Sequence, residues 1–216
     1  MSIQVVIADD HPVVRDGLRL MIEQSGADIV VAGEASDGLE VLESARTLPV
    51  DVFILDITMA NLNGIDTIRE LRRRTPGVRC IVLSLHSTKE MVDEALAAGA
   101  RGYVTKESAT RSIVDAVREV HAGRVYLCPR IAHFVAEGSL AGGREAERRD
   151  SSALSGQERK VLQLIAEGHS NKEIAALLNL SANTVHVHRT KLMAKLNVHK
   201  QSDLIRYAIK AGIAKL

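Results

Sequence analysis

An α/β domain with a doubly wound, five-stranded parallel sheet, followed by a small all-α domain of four helices, is what this sequence predicts. Three observations carry the prediction. Short apolar runs alternate five times with segments of helical periodicity up to residue 122, the rhythm that lays parallel strands beneath helices on both faces. That rhythm stops at Gly123, and from Leu154 only helical periodicity remains. Between them, residues 138–152 are small and charged and nearly free of large apolar side chains, a composition that builds no core. The organisation that follows is a domain over 1–122, a linker over 123–152 and a domain over 153–216. A helical extension over Arg144 to Arg149 is the competing reading of the linker.

The elements follow in order. Val5 to Ala8 is an apolar run ending in Asp9 and Asp10, and Pro12 sits where a first helical turn would place it. Val13, Val14, Leu18, Met21 and Ile22 then recur at helical spacing. Ile29 to Ala35 reads as strand, and Gly38 to Arg46 as a helix that turns Leu39, Leu42 and Ala45 inward. Strand Val52 to Asp56, helix Ile65 to Arg74, strand Arg79 to Ser84 and helix Lys89 to Ala98 continue the pattern, and strand Gly102 to Thr105 and helix Ser112 to Ala122 complete it. In the second domain, Ser155 with Glu158 and Ser170 with Glu173 fit capping boxes, and Ser181 is a third N-cap candidate. The helices start there: Gly156 to Glu167, Asn171 to Leu178, Ala182 to Leu196, and Gln201 to Ala211 with Gly212 as its stop.

Composition narrows the function. Aromatic residues make up 2% of the chain and tryptophan is absent, which argues against base stacking on an aromatic platform. Residues 1–135 carry 15 Lys+Arg against 19 Asp+Glu, net −4, while 136–216 carry 13 against 8, net +5. The basic second part suits a polyanion. Cys80 and Cys128 lack metal-ligand spacing, so a reducing cytoplasm is the expected location. No signal segment and no long apolar run is visible, which argues against export and a membrane partner.

Val52 to Asp56 runs four apolar residues into a carboxylate. A strand covered on both faces has that composition, and its end emerges at the carboxyl edge of the sheet, where open α/β sheets bind ligands. An Asp that merely caps the following loop is an equal alternative on this segment alone. Asp9 and Asp10 end the first strand, so all three carboxylates can meet at one edge and invite a hard divalent cation, with Mg²⁺ the usual choice. Ser84 closes the fourth strand with a hydroxyl, and Lys106 follows the fifth with a compact cation suited to a phosphoryl oxygen.

Asp9-Asp10, Leu55-Asp56-Ile57-Thr58-Met59, Gly64, Ser84 and Lys106, in this order, closely resemble the receiver domain of two-component response regulators over residues 3–122. The resemblance implies a flavodoxin-like fold in which Asp56 accepts a phosphoryl group from a sensor histidine kinase. It implies that Asp9, Asp10, Asp56 and the backbone carbonyl of Thr58 hold Mg²⁺, and that Lys106 contacts the phosphoryl group. It also implies that Ser84 turns toward the new oxygens and that Tyr103 moves inward with it, although a static, half-buried Tyr103 stays open. Thr58 and His86 flank the site and bear on the lifetime of the phosphate. Ala60 and Glu107 stand where many receivers have Pro.

On a helical wheel for Ala182 to Leu196, Val185, Leu192 and Leu196 define a buried face, and Asn183, Val187, Thr190 and Ala194 the opposite one, flanked by His186 and Lys191. That face suits a major groove. A small bundle that binds protein is the alternative. His186 and His188 lie on different helix faces, which removes a metal site with His199. The run from Leu154-Ser155-Gly156 through Ser170-Asn171-Lys172-Glu173 and Thr184-Val185 to Lys195-Leu196 resembles the LuxR-type helix-turn-helix, and the whole chain a NarL/FixJ-type response regulator. By that resemblance His186, Val187 and Thr190 face bases, while Lys172, Arg189, Lys191 and Lys195 are phosphate contacts or flanking supports. Leu204, Tyr207, Ala208 and Ala211 are candidate dimer contacts, and a two-fold homodimer implies DNA with inverted half-sites. No catalytic residue is expected. An aspartyl-phosphate phosphohydrolase would carry a second acid where Thr58 stands, and a receiver used only for docking is the remaining alternative.

Overall fold

β3, Val52–Asp56, is buried at every residue, as a continuous apolar run requires. In the computed structural model, which describes residues 2–26, 28–85, 88–140 and 154–214, it lies inside a sheet of order β2-β1-β3-β4-β5-β6. The other strands are β1 (Ile3–Ala8), β2 (Ile29–Ala35), β4 (Arg79–Ser84), β5 (Gly102–Thr105) and β6 (Tyr126–Leu127), and every pairing is parallel. The order reverses between β1 and β3, so a crevice opens at their carboxyl ends. The helices of this unit are α1 (Pro12–Gln24), α2 (Gly38–Thr47), α3 (Gly64–Arg74), α4 (Lys89–Ala98), α5 (Ala109–His121) and α6 (Pro129–Leu140).

Alternate strand residues feed two cores. Phe53 and Leu55 join Val41, Ile68, Leu71 and Val92 on the side of α2, α3 and α4, whereas Val52 and Ile54 join Leu18, Ile22, Ile113 and Val117 on the side of α1 and α5. The inward face of α2 differs from expectation. Leu39 is 46% exposed, and the buried line runs through Gly38 and Val41, with Leu42 and Ala45 packed beside it. Gly38 decides this: a Cβ there would lie 2.0 Å from Thr67 Oγ1 and 2.5 Å from the Leu62 carbonyl oxygen, so the helix approaches α3 through the one residue lacking a side chain.

Among the described residues the sheet has six strands rather than five. β6 pairs Tyr126 with Gly102 and Leu127 with Tyr103, and the Cys128 N–H donates to the Tyr103 carbonyl at 3.0 Å. Two residues are too few to show a period. α6 follows with Pro129 in its first position, and Cys128 and Ile131 are fully buried in the first core. The first part of the expected 123–152 linker therefore belongs to the unit Met1–Gly142, while the alternative helix over 144–149 lies outside the described residues. Both cysteines are free and buried, and among the described residues no helix is long and apolar enough to cross a membrane.

The second unit, Gly143–Leu216, holds α7 (Gly156–Ala166), α8 (Asn171–Leu178), α9 (Ala182–Lys195) and α10 (Gln201–Lys210). Val161, Leu162, Ile165, Ile174, Val185, Leu192, Leu204 and Ala208 make its core. Both capping boxes form. Between α8 and α9 the chain turns through Asn179 at φ 53°, and Ser181 Oγ accepts the Thr184 N–H at 3.0 Å. Removing that cap by Ser181→Ala should destabilise this unit by about 1 kcal/mol, with Ser181→Asn restoring most of it. Thermal melts of the three proteins provide the check.

Candidate functional site

The register of the parallel sheet brings the polar strand ends level. Ala8 pairs with Leu55, Asp56 with Leu83, and Ser84 with Thr105, so the residues at or just past these ends share one edge. Asp9 and Ser84 are fully buried, and Asp56 is 2% exposed. Lys106 reaches between the carboxylates, its Nζ 2.5 Å from Asp9 Oδ2 and 3.1 Å from Asp56 Oδ2. Its own N–H donates to the Ser84 carbonyl at 2.9 Å, which fixes where the side chain begins.

The loop after β3 is pinned from below. The Gly64 N–H donates to the Ile57 carbonyl at 2.8 Å, and a Cβ on Gly64 would lie 2.1 Å from the Asp56 carbonyl oxygen. Asn63 Oδ1 then caps α3 by accepting the Asp66 N–H at 2.9 Å. Thr58 is buried in this loop. His86 lies outside the described residues.

Two residues that the sequence reading passed over belong to the site. His11 directs its Nδ1 to Asp10 Oδ1 at 2.6 Å and to Asp9 Oδ1 at 3.1 Å, while its backbone N–H donates to Asp9 Oδ1 at 2.9 Å. The available signal was its place directly after the two aspartates. Arg15, paired with Glu34, donates from Nη1 to the Asp9 carbonyl at 2.7 Å, and no motif announces a contact to a main-chain oxygen.

Asp9, Asp10, His11 and Asp56 each offer a ligand atom, all within 4.8 Å of one another. Asp9 Oδ2 is buried and faces the Lys106 ammonium at 2.5 Å. Three carboxylates against one lysine leave an excess of negative charge in a half-desolvated pocket, so a divalent cation with oxygen ligands fits it.

Tyr103 is fully buried, not half-buried, and its hydroxyl is hydrogen-bonded to Ser84. Burial pushes the phenol from 10.0 up to about 12, against the pull of Ser84 and with a further push from Cys128 and Asp56. The unfolded chain, with the lower value, releases this proton first as pH rises. The stability contributed by the neutral phenol is therefore complete below pH 10.0 and is lost as pH climbs through about 12. Urea midpoints should fall across that window, and less steeply for Tyr103→Phe.

In the second unit α9 turns Val185 and Leu192 into the core and leaves Asn183, His186, Val187, Thr190, Lys191 and Ala194 exposed, with Val187 43% accessible. Lys172 is exposed at the start of α8. Arg189 Nη2 donates to Gln201 Oε1 at 2.5 Å, tying α9 to α10. Lys195 Nζ donates to Glu158 Oε2 at 3.0 Å, which makes it a support between α9 and α7. The Ser155 N–H, with Lys195 beside it, holds the Glu158 carboxyl below the usual carboxylate range. Two of the expected dimer contacts are corrected: Leu204 and Ala208 are fully buried in the unit's own core rather than on its surface. Tyr207 is 38% exposed and Ala211 partly buried.

Residues 5–118 match the response regulator receiver domain, and residues 152–208 match the bacterial regulatory proteins of the luxR family. The response regulator UvrY of Escherichia coli (strain K12) is 34% identical over 213 residues, 98% of this chain and 95% of that protein. The nitrate/nitrite response regulator protein NarP of the same strain is 37% identical over 198 residues, 92% of this chain and 90% of that one. Among solved structures, RcsB from Salmonella enterica serovar Typhimurium, bound to a promoter in the presence of a phosphomimetic, matches with a TM-score of 0.60 at 28% identity, covering 96% of this chain and 98% of that chain. With a receiver fold that carries the acidic pocket, a luxR-type helix-turn-helix later in the sequence and relatives matching along nearly its whole length, the chain belongs to the NarL/FixJ-type response regulators.

Proposed function

We propose that this chain is a phosphorylation-switched, sequence-specific transcription regulator in which Asp56 is the phosphoacceptor. The observation that carries the reading is the meeting of Lys106 Nζ with Asp56 Oδ2 at 3.1 Å and Asp9 Oδ2 at 2.5 Å, at the edge where the switch point opens. An Asp56 oxygen attacks phosphorus, the bond to the kinase histidine breaks, and Lys106 receives the charge of the transferred group. Asp9, Asp10, Asp56 and the Thr58 carbonyl would hold Mg²⁺, which would supply positive charge against the phosphoryl oxygens. Ser84 then donates its hydroxyl to a phosphoryl oxygen, and Tyr103, already buried and hydrogen-bonded to Ser84, senses the change in that hydroxyl.

The output is DNA binding. His186, Val187 and Thr190 meet base edges, Lys172, Arg189 and Lys191 meet phosphates, and Lys195 supports α9. Phosphorylation favours a homodimer on inverted half-sites, with Tyr207 and Ala211 at the α10 contact, so that two weak contacts act together. The test is to select genomic DNA with the intact, phosphodonor-treated protein and measure affinity against salt. Lys172→Ala should weaken all sites alike and reduce the slope of log K against log salt by about 1, whereas Val187→Ala should cost about 1–3 kcal/mol and relax preference at one base position. Selection that returns no common sequence would remove the reading.

A further inference from the structure

We infer that the amino edge of the sheet carries an anion site, built from Arg72, Arg79 and Arg101, that takes a small organic molecule with two adjacent phosphates. The three arginines line one cleft of about 720 Å³, bounded by α3, the starts of β4 and β5 and the ends of α4 and α5. No carboxylate lines it. β4 runs from Arg79 to Ser84, so roughly 16 Å of strand separates this edge from the pocket at Asp56.

Pairing sets these arginines apart. Residues 1–135 carry a net charge of −4, and on α3 Arg69 is bound to Asp66 and Glu94 while Arg73 and Arg74 share Glu70. Among the described residues Arg72, Arg79 and Arg101 have no ion pair. Arg72 lies across the end of α4, where a Cβ on Gly99 would stand 2.9 Å from its Cδ and 3.3 Å from its Nη1. A glycine there, at φ 115°, leaves the guanidinium its place at the cleft wall. Arg101 is anchored through its main chain: its N–H donates to the Cys80 carbonyl at 2.8 Å, and its carbonyl accepts the Tyr126 N–H at 2.9 Å. Its side chain is exposed, and that of Arg79 half-buried. Like charges gathered without a counter-charge repel one another, and an anion relieves that cost.

The chemistry of the cleft selects the anion. Planar guanidinium forks match phosphate oxygens two at a time. One phosphate monoester carries roughly −1.5 to −2 at neutral pH, less than three guanidiniums, whereas two adjacent phosphates match them. Ile68, Leu96 and Val120 supply apolar wall, and Val125, 53% exposed, extends it to the surface. An organic body has something to cover there, and a planar ring can stack on a guanidinium face. Nothing stands within 4 Å of a Cβ at Gly77 or Gly123, so the rim is open. A nucleoside diphosphate combines these features.

The experiment titrates the full chain, without divalent cations, with ADP, inorganic pyrophosphate and an oligoglutamate peptide. ADP should bind once per chain, more tightly than pyrophosphate, and shift the amide resonances of Gly77, Gly99 and Gly123. Arg72→Ala and Arg101→Ala, both at exposed side chains, should each weaken ADP binding by about tenfold, and Arg101→Lys by less. Pyrophosphate binding as tightly as ADP overturns the organic body. Peptide binding without ADP binding overturns the phosphate ligand and makes the cleft a docking surface for an acidic protein. No ADP binding, affinity unaltered in both alanine variants, or shifts confined to Gly156 and Gly168 of the second unit overturns the site. Melting temperatures verify that the variants are folded.

Discussion

Asp56→Asn should abolish phosphoryl uptake from acetyl phosphate and, with it, any phosphodonor-dependent gain in DNA affinity. The amide keeps the shape of the carboxylate and loses its nucleophilicity and charge. Lys106 keeps a carboxylate partner, since Asp9 Oδ2 stands 2.5 Å from its Nζ, and one negative charge leaves a pocket crowded with them. The variant should therefore remain folded and melt no lower than the intact protein without added cations. The intact protein should gain mass with the phosphodonor and bind its selected DNA on the order of 5–150-fold more tightly, the usual range of coupling between two sites. Intact mass, together with anisotropy on the same DNA, reads both effects. An equal gain in the Asp56→Asn protein would contradict the switch.

Gly64→Ala carries the largest expected loss of stability. The added methyl would sit 2.1 Å from the Asp56 carbonyl oxygen, 3.0 Å from its carbon and 3.1 Å from Ile57 Cα. These are backbone atoms that cannot swing aside. Relief requires α3 to retreat, which stretches the 2.8 Å bond from the Gly64 N–H to the Ile57 carbonyl and lifts the buried Ile65 and Ile68 from the core. A cost of about 3 kcal/mol, at the upper end for overpacking, is expected. The same shift displaces Asp56 from Lys106, so phosphorylation should slow as well. Gly17→Ala is the contrasting change: nothing lies within 4 Å of its added Cβ in α1, and replacing a helical glycine should stabilise by about 0.5–1 kcal/mol. Denaturant midpoints of opposite sign for the two alanines would match these surroundings; equal effects would not.

Much of the site is legible in the chain because parallel strands buried on both faces must be continuous apolar runs, and each run ends where its polar residue begins. Asp9, Asp56, Ser84 and Lys106 become candidates by that punctuation only when taken together, and β2, β3, β4 and β5 have the bounds the runs predict. The helix starts of the second unit are equally local, since a hydroxyl and a carboxylate three residues apart satisfy the same orphaned N–H groups wherever they occur.

What the sequence by itself determined, then, is the order of the first five strands and their helices, the charged edge of the sheet and the basic helix of the second unit. Tertiary structure alone decided which way ambiguous faces turn and which polar atoms meet. Leu39 lies outward because Gly38 brings α2 close to α3. α10 offers Leu204, Ile205, Tyr207, Ala208 and Ile209, apolar over more than one face, and only packing on α7 selects Leu204 and Ala208 for the interior. β6 has two residues and no period to reveal it. His11 becomes a partner of Asp9 and Asp10, and Lys195 of Glu158, through distances of 2.6–3.1 Å. Periodicity records how often a chain must turn toward a core; it holds no record of which atoms, arriving there from different elements, come within bonding reach.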